Sequence, residues 1–304
     1  MDNNMNYNFD KMKERVLYSL EKTDLEDIRN QLKNINDSTL VCGVGGSLVV
    51  AKFLSKVLET KNDIISEAIS PRDIIYKDLS HYKNVVSCSY SGNNLGVYVA
   101  LNNKLNKYLI SRNEIDGINN LNYATCDIED SFISLSSTMI PMTIILDYYL
   151  DGKTNIINDI FDSNYSFNIN NNDIYEILSG CDTSVAQTFL DSTITEAGLG
   201  IPIIHDKYDY CHGRSTLGYN YPSTMIFFNE KKQLDNLILS LLPKYYDNLI
   251  VLDRKYDDEI LNEYYQTYYC MHLCKKIAEL KNKDLSKVDY SQMVKKLYKY
   301  KGEM

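Results

Sequence analysis

A chain of 304 residues, 44% of them hydrophobic, is long enough for two domains of ordinary size and too apolar for global disorder. Its formal charge of -9 excludes the broad basic surface that nucleic acid or an anionic membrane demands. It leaves room for a small phosphorylated ligand, which needs only a local cradle of N–H and hydroxyl donors.

The N-terminus, MDNNMNYNFD, lacks the charged and apolar regions of a signal peptide, and no apolar run reaches the ~18 residues of a membrane span. Seven scattered cysteines, several inside apolar runs, fit free thiols in a reducing compartment. A cytoplasmic protein is expected.

In chain order, residues 10–36 are predicted helical, with Met12, Val16 and Leu20 in one apolar stripe and Leu25, Ile28, Leu32 and Ile35 in a second. Strands are predicted at 39–44, 63–68, 84–89, 108–111 and 122–126, with helices at 48–58, 95–105 and 136–150. Residues 151–172 are rich in Asn, Asp and Ser and read as a linker. The alternation then restarts with strands at 173–179, 201–204, 223–228 and 248–253 and helices at 184–196, 231–242 and 257–280. Residues 281–304 form a Lys-rich tail. Alternating strands and helices predict parallel α/β architecture. Gly45, Val50 and Ala51 align at a constant offset with Gly180, Val185 and Ala186, each time from strand through turn to helix, which suggests an internal repeat.

Two turns carry anion chemistry. Gly43-Val-Gly-Gly-Ser47 leaves a strand and enters a helix, so Gly45 and Gly46 permit close backbone approach and Ser47 adds a hydroxyl. A dinucleotide fingerprint fails at Leu48, and no Gly-Lys-Ser/Thr follows for a P-loop. A glycine turn made for packing alone has the same appearance. The second turn, Ser89-Tyr-Ser-Gly-Asn-Asn94, offers Ser89, Ser91, Gly92 and Asn94 at a helix start. One of these would suffice as a helix cap.

Together the two turns resemble the first domain of the SIS (sugar isomerase) family, whose pattern is Gly-x-Gly-x-Ser followed by Ser-x-Ser-Gly-x-Thr. Asn94 stands where the family has Thr, and an amide can also donate. The resemblance implies two tandem SIS-type domains, flavodoxin-like and three-layered (α/β/α), with mostly parallel sheets. On that scheme 1–36 is an N-terminal helical segment, 37–150 the phosphate-binding domain, 151–172 the linker, 173–280 the catalytic domain and 281–304 the tail. It also implies that Ser47, Ser89, Ser91 and Asn94 hold a sugar phosphate, with Ser137 of SLSSTM as a further contact.

In the second half, Glu196 and the His212-Gly213 pair lie sixteen positions apart. Alone, Glu196 has the ordinary role of a helix-end acid and His212 that of a loop residue. They resemble the Glu and His-Gly of the isomerase domain of glucosamine-6-phosphate synthase. There the Glu moves a proton between neighbouring carbons, and the His opens the sugar ring, often from a neighbouring subunit. Arg214 replaces the family's proline and is a candidate substrate contact. Lys296 of KKLYKY matches the C-terminal lysine that closes over the sugar.

The expected function is therefore a phosphosugar aldose–ketose isomerase, or an aminosugar-phosphate isomerase or deglycase, working through an enediol or enolamine. It would act as a homodimer, bind neither nucleic acid nor membrane, and use no metal or organic cofactor. With no N-terminal nucleophilic Cys and no room for a glutaminase domain, a complete glutamine-dependent enzyme is not expected. The alternative is a non-catalytic phosphosugar-binding regulator. A DNA-binding module is not expected, since residues 1–36 carry six basic and seven acidic side chains. Cys270, His272 and Cys274 look like a metal cluster, but on a helix the histidine faces away from the two thiols. His81 and His205 show no convergent partner and read as structural.

Overall fold

The structure, a computed structural model, describes residues 4–129 and 131–286. The chain opens with three helices, α1 (Asn4–Asp10), α2 (Met12–Lys22) and α3 (Leu25–Lys33). The single helical region expected over 10–36 is broken between α2 and α3, because Asp24 caps α3 by accepting from the Asp27 N–H at 3.0 Å.

The first half then runs β1 (Thr39–Cys42), α4 (Gly46–Asn62), β2 (Ser66–Ile69), α5 (Pro71–Ile74), β3 (Asn84–Cys88), α6 (Leu95–Leu101), β4 (Asn106–Ser111), β5 (Asn119–Asn122) and α7 (Ser136–Tyr149). After α8 (Ile156–Phe161), the second half runs β6 (Ile174–Ser179), α9 (Ser184–Glu196), β7 (Ile201–Asp206), α10 (Lys207–Asp209), α11 (Thr216–Asn220), β8 (Ser223–Asn229), α12 (Gln233–Leu241), β9 (Leu249–Asp253) and α13 (Glu259–Leu280).

Both sheets are parallel throughout their described pairings. The strand order is β2-β1-β3-β4-β5 in the first and β7-β6-β8-β9 in the second. β1, β3 and β8 are buried along their whole length, as expected for strands covered by helices on both faces. In each sheet the chain moves to one side after its first strand and to the other after its second. That creates a switch point, between β1 and β3 in the first sheet and between β6 and β8 in the second. Crevices outside the carboxyl ends of such strand pairs are where α/β folds receive ligands.

The two sheets share one hydrophobic cluster, which runs from Val41 and Val86 of the first to Ile177 and Ile226 of the second. Between them α4 packs on α9, and Lys52 of α4 donates to Thr188 of α9 at 2.8 Å. The Asn-rich stretch expected to be a linker is pinned into this core: Ile157, Ile160, Phe161 and Ile169 are all buried. The start of the tail is also held, by Lys281 on Asp173 at 2.8 Å and Lys283 on the Gly198 carbonyl. No described helix is long and apolar enough to cross a membrane.

Candidate functional site

The β1–α4 turn is shaped by close approach. Gly45 adopts φ +57°, a conformation that favours glycine, and a Cβ on Gly46 would collide with Ser134. No side chain among the described residues caps α4. The Ser47 hydroxyl is half-buried at the first turn of α4 and has no protein partner among the described residues.

The β3–α6 turn is organised by its own polar groups. The Ser89 hydroxyl is buried and accepts from the Gly92 N–H and the Asn94 amide, both at 3.1 Å. Asn94 in turn caps α6 by accepting from the Val97 N–H at 3.0 Å. Ser89 and Asn94 therefore hold the turn, while Ser91, half-buried, keeps its hydroxyl free of protein partners among the described residues. The Ser91 carbonyl accepts from Asn113 at 2.9 Å, which ties the turn to the end of β4.

Ser137 departs from expectation. The start of α7 is occupied by a carboxylate of the chain itself. Glu129 accepts from the N–H and hydroxyl of Ser136, both at 2.7 Å, and from the N–H and hydroxyl of Ser137 at 3.0 and 2.7 Å. A carboxylate is the natural occupant of a helix N-terminus, and it leaves Ser137 no hydroxyl proton for a phosphate.

Glu196 ends α9 and comes to the first turn across the junction of the two halves. One of its carboxyl oxygens lies 3.1 Å from where a Cβ on Gly45 would stand. Glu196 remains exposed to solvent, but surrounding protein desolvates its carboxyl enough to hold it above the usual carboxylate range. The 3.1 Å hydrogen bond from Ser192 pulls the other way. His212 and Arg214 are not brought to this point. They sit on an exposed turn, Tyr210–Arg214, and make no hydrogen bond or ion pair among the described residues. Lys296 lies outside the described residues.

One charged neighbour went unnoticed in the sequence. Arg112, directly after β4, stacks its guanidinium over Tyr90 of the second turn at 5.1 Å, and its Nε is buried without a partner among the described residues. Its position immediately after a predicted strand, one strand over from the serine turn, was the available signal. Cys270 and Cys274 are buried core thiols, whereas His272 packs among Phe9, Tyr165 and Tyr268. Among the described residues no group of three His, Cys, Asp or Glu side chains could hold a metal ion.

The corresponding corner of the second sheet is filled from within. A Cβ on Gly180 would stand 2.6 Å from a Glu230 carboxyl oxygen. Glu230 meets Lys232 at 2.9 Å and buried Lys207 at 3.3 Å, and Lys207 also meets Asp235 at 2.8 Å. At the start of α9 the N–H groups of Val185 and Ala186 donate to Glu263, both at 3.3 Å, and Glu263 pairs with Lys56.

No protein-family model and no curated protein matches the sequence. Solved structures do match the fold. Tagatose-6-phosphate ketose/aldose isomerase from Escherichia coli superposes with a TM-score of 0.71 at 13% identity, over 95% of this chain and 96% of that one. The C-terminal domain of glucosamine-fructose-6-phosphate aminotransferase from Francisella tularensis gives 0.69 at 12% identity, over 94% and 98%. Glucosamine-6-phosphate deaminase from Thermotoga maritima gives 0.68 at 16% identity, over 88% and 97%. The chain thus has the three-layer α/β fold, built on two parallel sheets, that the SIS resemblance implied.

Proposed function

We propose that the protein is a phosphosugar isomerase, an aldose–ketose isomerase or an aminosugar-phosphate isomerase or deglycase. The observation that carries this is the meeting of Glu196, from the second half, with the open glycine turn of the first half. A phosphate docks on the β1–α4 and β3–α6 turns, where Ser47 and Ser91 offer hydroxyls and Ser89, Gly92 and Asn94 hold the backbone in place. The attached sugar then extends toward the Glu196 carboxylate. Glu196 removes a proton from the carbon beside the carbonyl and returns it to the neighbouring carbon, through an enediol or, with an aminosugar, an enolamine.

Desolvation by the surrounding protein, which lifts the Glu196 carboxyl, makes its ionised form a stronger base than a free glutamate. The carboxylate is the active form, so turnover falls as pH drops through that lifted value.

The two sheets correspond to two tandem SIS-type domains in this proposal, with boundaries near 37–150 and 173–280. His212 opens the ring from the neighbouring subunit of a cytoplasmic homodimer, with Arg214 beside it as a substrate contact and Lys296 of the tail closing over the sugar. A second reading, a phosphosugar-binding regulator without catalysis, is favoured by the one observation that, among the described residues, Glu196 is hydrogen-bonded to Ser192 and not to His212.

Replacing Glu196 by Gln tests both. An isomerase loses about 10²–10⁴-fold in kcat while its affinity for the sugar phosphate is unchanged. A variant that turns over at the wild-type rate sinks the proposed mechanism.

A further inference from the structure

The amino end of the second sheet carries a cavity of about 380 Å³, large enough for a small organic ligand, and neither Glu196 nor the glycine and serine turns line it. It is bounded by residues at the amino ends of three strands: Asn172 before β6, Ser223 opening β8 and Asn248 before β9. Tyr221 and Tyr245 also line it, yet stay 57% and 47% exposed, so two aromatic rings border its mouth.

Behind the lining lies a polar group that the proposed chemistry does not use. Glu176, fully buried in β6, accepts from the hydroxyls of two lining residues, Ser223 at 2.6 Å and Tyr246 at 3.1 Å. Its other oxygen meets Nε2 of buried His205 at 3.1 Å. Tyr246 also shares a 2.7 Å hydrogen bond with Tyr210. A buried carboxylate is costly unless its oxygens are paired, and here that pairing fixes the orientation of the cavity wall. With its proton committed to Glu176, Ser223 presents lone pairs as an acceptor. Asn172 and Asn220 each give one amide N–H to the protein, to Thr224 and to the Thr216 carbonyl, and keep one N–H and the amide oxygen for a ligand, whereas Asn248 donates both N–H groups internally and offers its oxygen.

No lysine or arginine is among the described residues that line the cavity, and its one charged side chain is Asp247. An anionic ligand is therefore disfavoured. A ligand whose groups both donate and accept, and whose C–H faces lie flat on tyrosine rings, is favoured.

We propose that this cavity binds an uncharged polyhydroxy ligand, a sugar or sugar-like polyol without a phosphate, independently of the Glu196 cleft. The test is ligand-observed NMR on the whole protein with glucose, ribose, N-acetylglucosamine and maltose as probes at millimolar concentration. At least one probe binds, and its affinity falls up to about tenfold in Tyr221→Ala, an exposed change that spares the fold. Gly218→Val abolishes binding, because a side chain at that position collides with Tyr246. Binding persists in Glu196→Gln and in the presence of hexose phosphates, so the outcome does not depend on the proposed isomerase activity. If no probe binds, if binding is unchanged in both Tyr221→Ala and Gly218→Val, or if a hexose phosphate displaces the probe, the proposal is overturned.

Discussion

At one corner of the molecule β1 passes through Gly45 and Gly46 into α4, and no side chain among the described residues caps that helix. At the other, β6 passes through Gly180 into α9, where Glu230 packs against the glycine and Glu263 accepts from the Val185 and Ala186 N–H groups. The two corners share a local path and sit at equivalent switch points of their sheets. They differ in who supplies the negative charge. A helix N-terminus attracts an anion, and a carboxylate from the same chain satisfies it permanently. The second corner is closed in this way, as is the start of α7 by Glu129. At the first corner no described side chain caps the helix, a carboxylate from the other half overlooks it, and this is the corner we propose for the phosphate.

The largest expected effect follows from the closed corner. Glu263 is fully buried and holds Lys56 as well as two helix N–H groups. Glu263→Ala should destabilise the fold by about 3–5 kcal/mol in chemical denaturation, the cost of an emptied core site and of two buried helix N–H groups left without an acceptor, while half-buried Lys56 keeps the Cys181 carbonyl. Glu196→Ala, at the open corner, removes an exposed side chain with one hydrogen bond and should stay within about 1 kcal/mol. Equal losses at the two sites would erase the distinction.

A smaller effect separates structural from functional titration on α13, the helix that supplies Glu263. Burial among Phe9, Tyr165 and Tyr268 holds the His272 imidazole down at about 4, with Lys275 adding to the shift. The unfolded chain then binds the proton more tightly than the folded one. Stability is complete above about pH 6.5 and falls by roughly 3 kcal/mol as pH drops toward 4. In His272→Phe that part of the acid dependence should disappear from pH-resolved denaturation curves. A slope that is the same in the variant would assign it to other groups.

The fold was legible because its signals are local. The limits of α9 and the start of β1 follow from apolar runs bounded by glycine and polar residues, and the glycine and serine turns announce themselves within six residues. The occupants of helix starts were not legible. Glu263 lies far along the chain from Val185, and nothing local marks it as a partner. Glu129 is near Ser137 in the chain, but no periodicity or cap motif in the sequence pairs the two. His205 looked isolated for a similar reason. Its partner Glu176 sits on the adjacent strand, and Glu176 pairs in register with Ile203, two residues before His205 on the same face. That register exists only once the sheet is assembled.

The most direct measurement is a thermal-shift panel of hexose, hexosamine and pentose phosphates. The open-corner account predicts that at least one of them raises the melting temperature through linkage. That rise should vanish when Ser47 and Ser91 are both replaced by Ala and survive in Lys232→Met at the closed corner. No response from any sugar phosphate, or a response that depends on Lys232 and ignores the two serines, would contradict it.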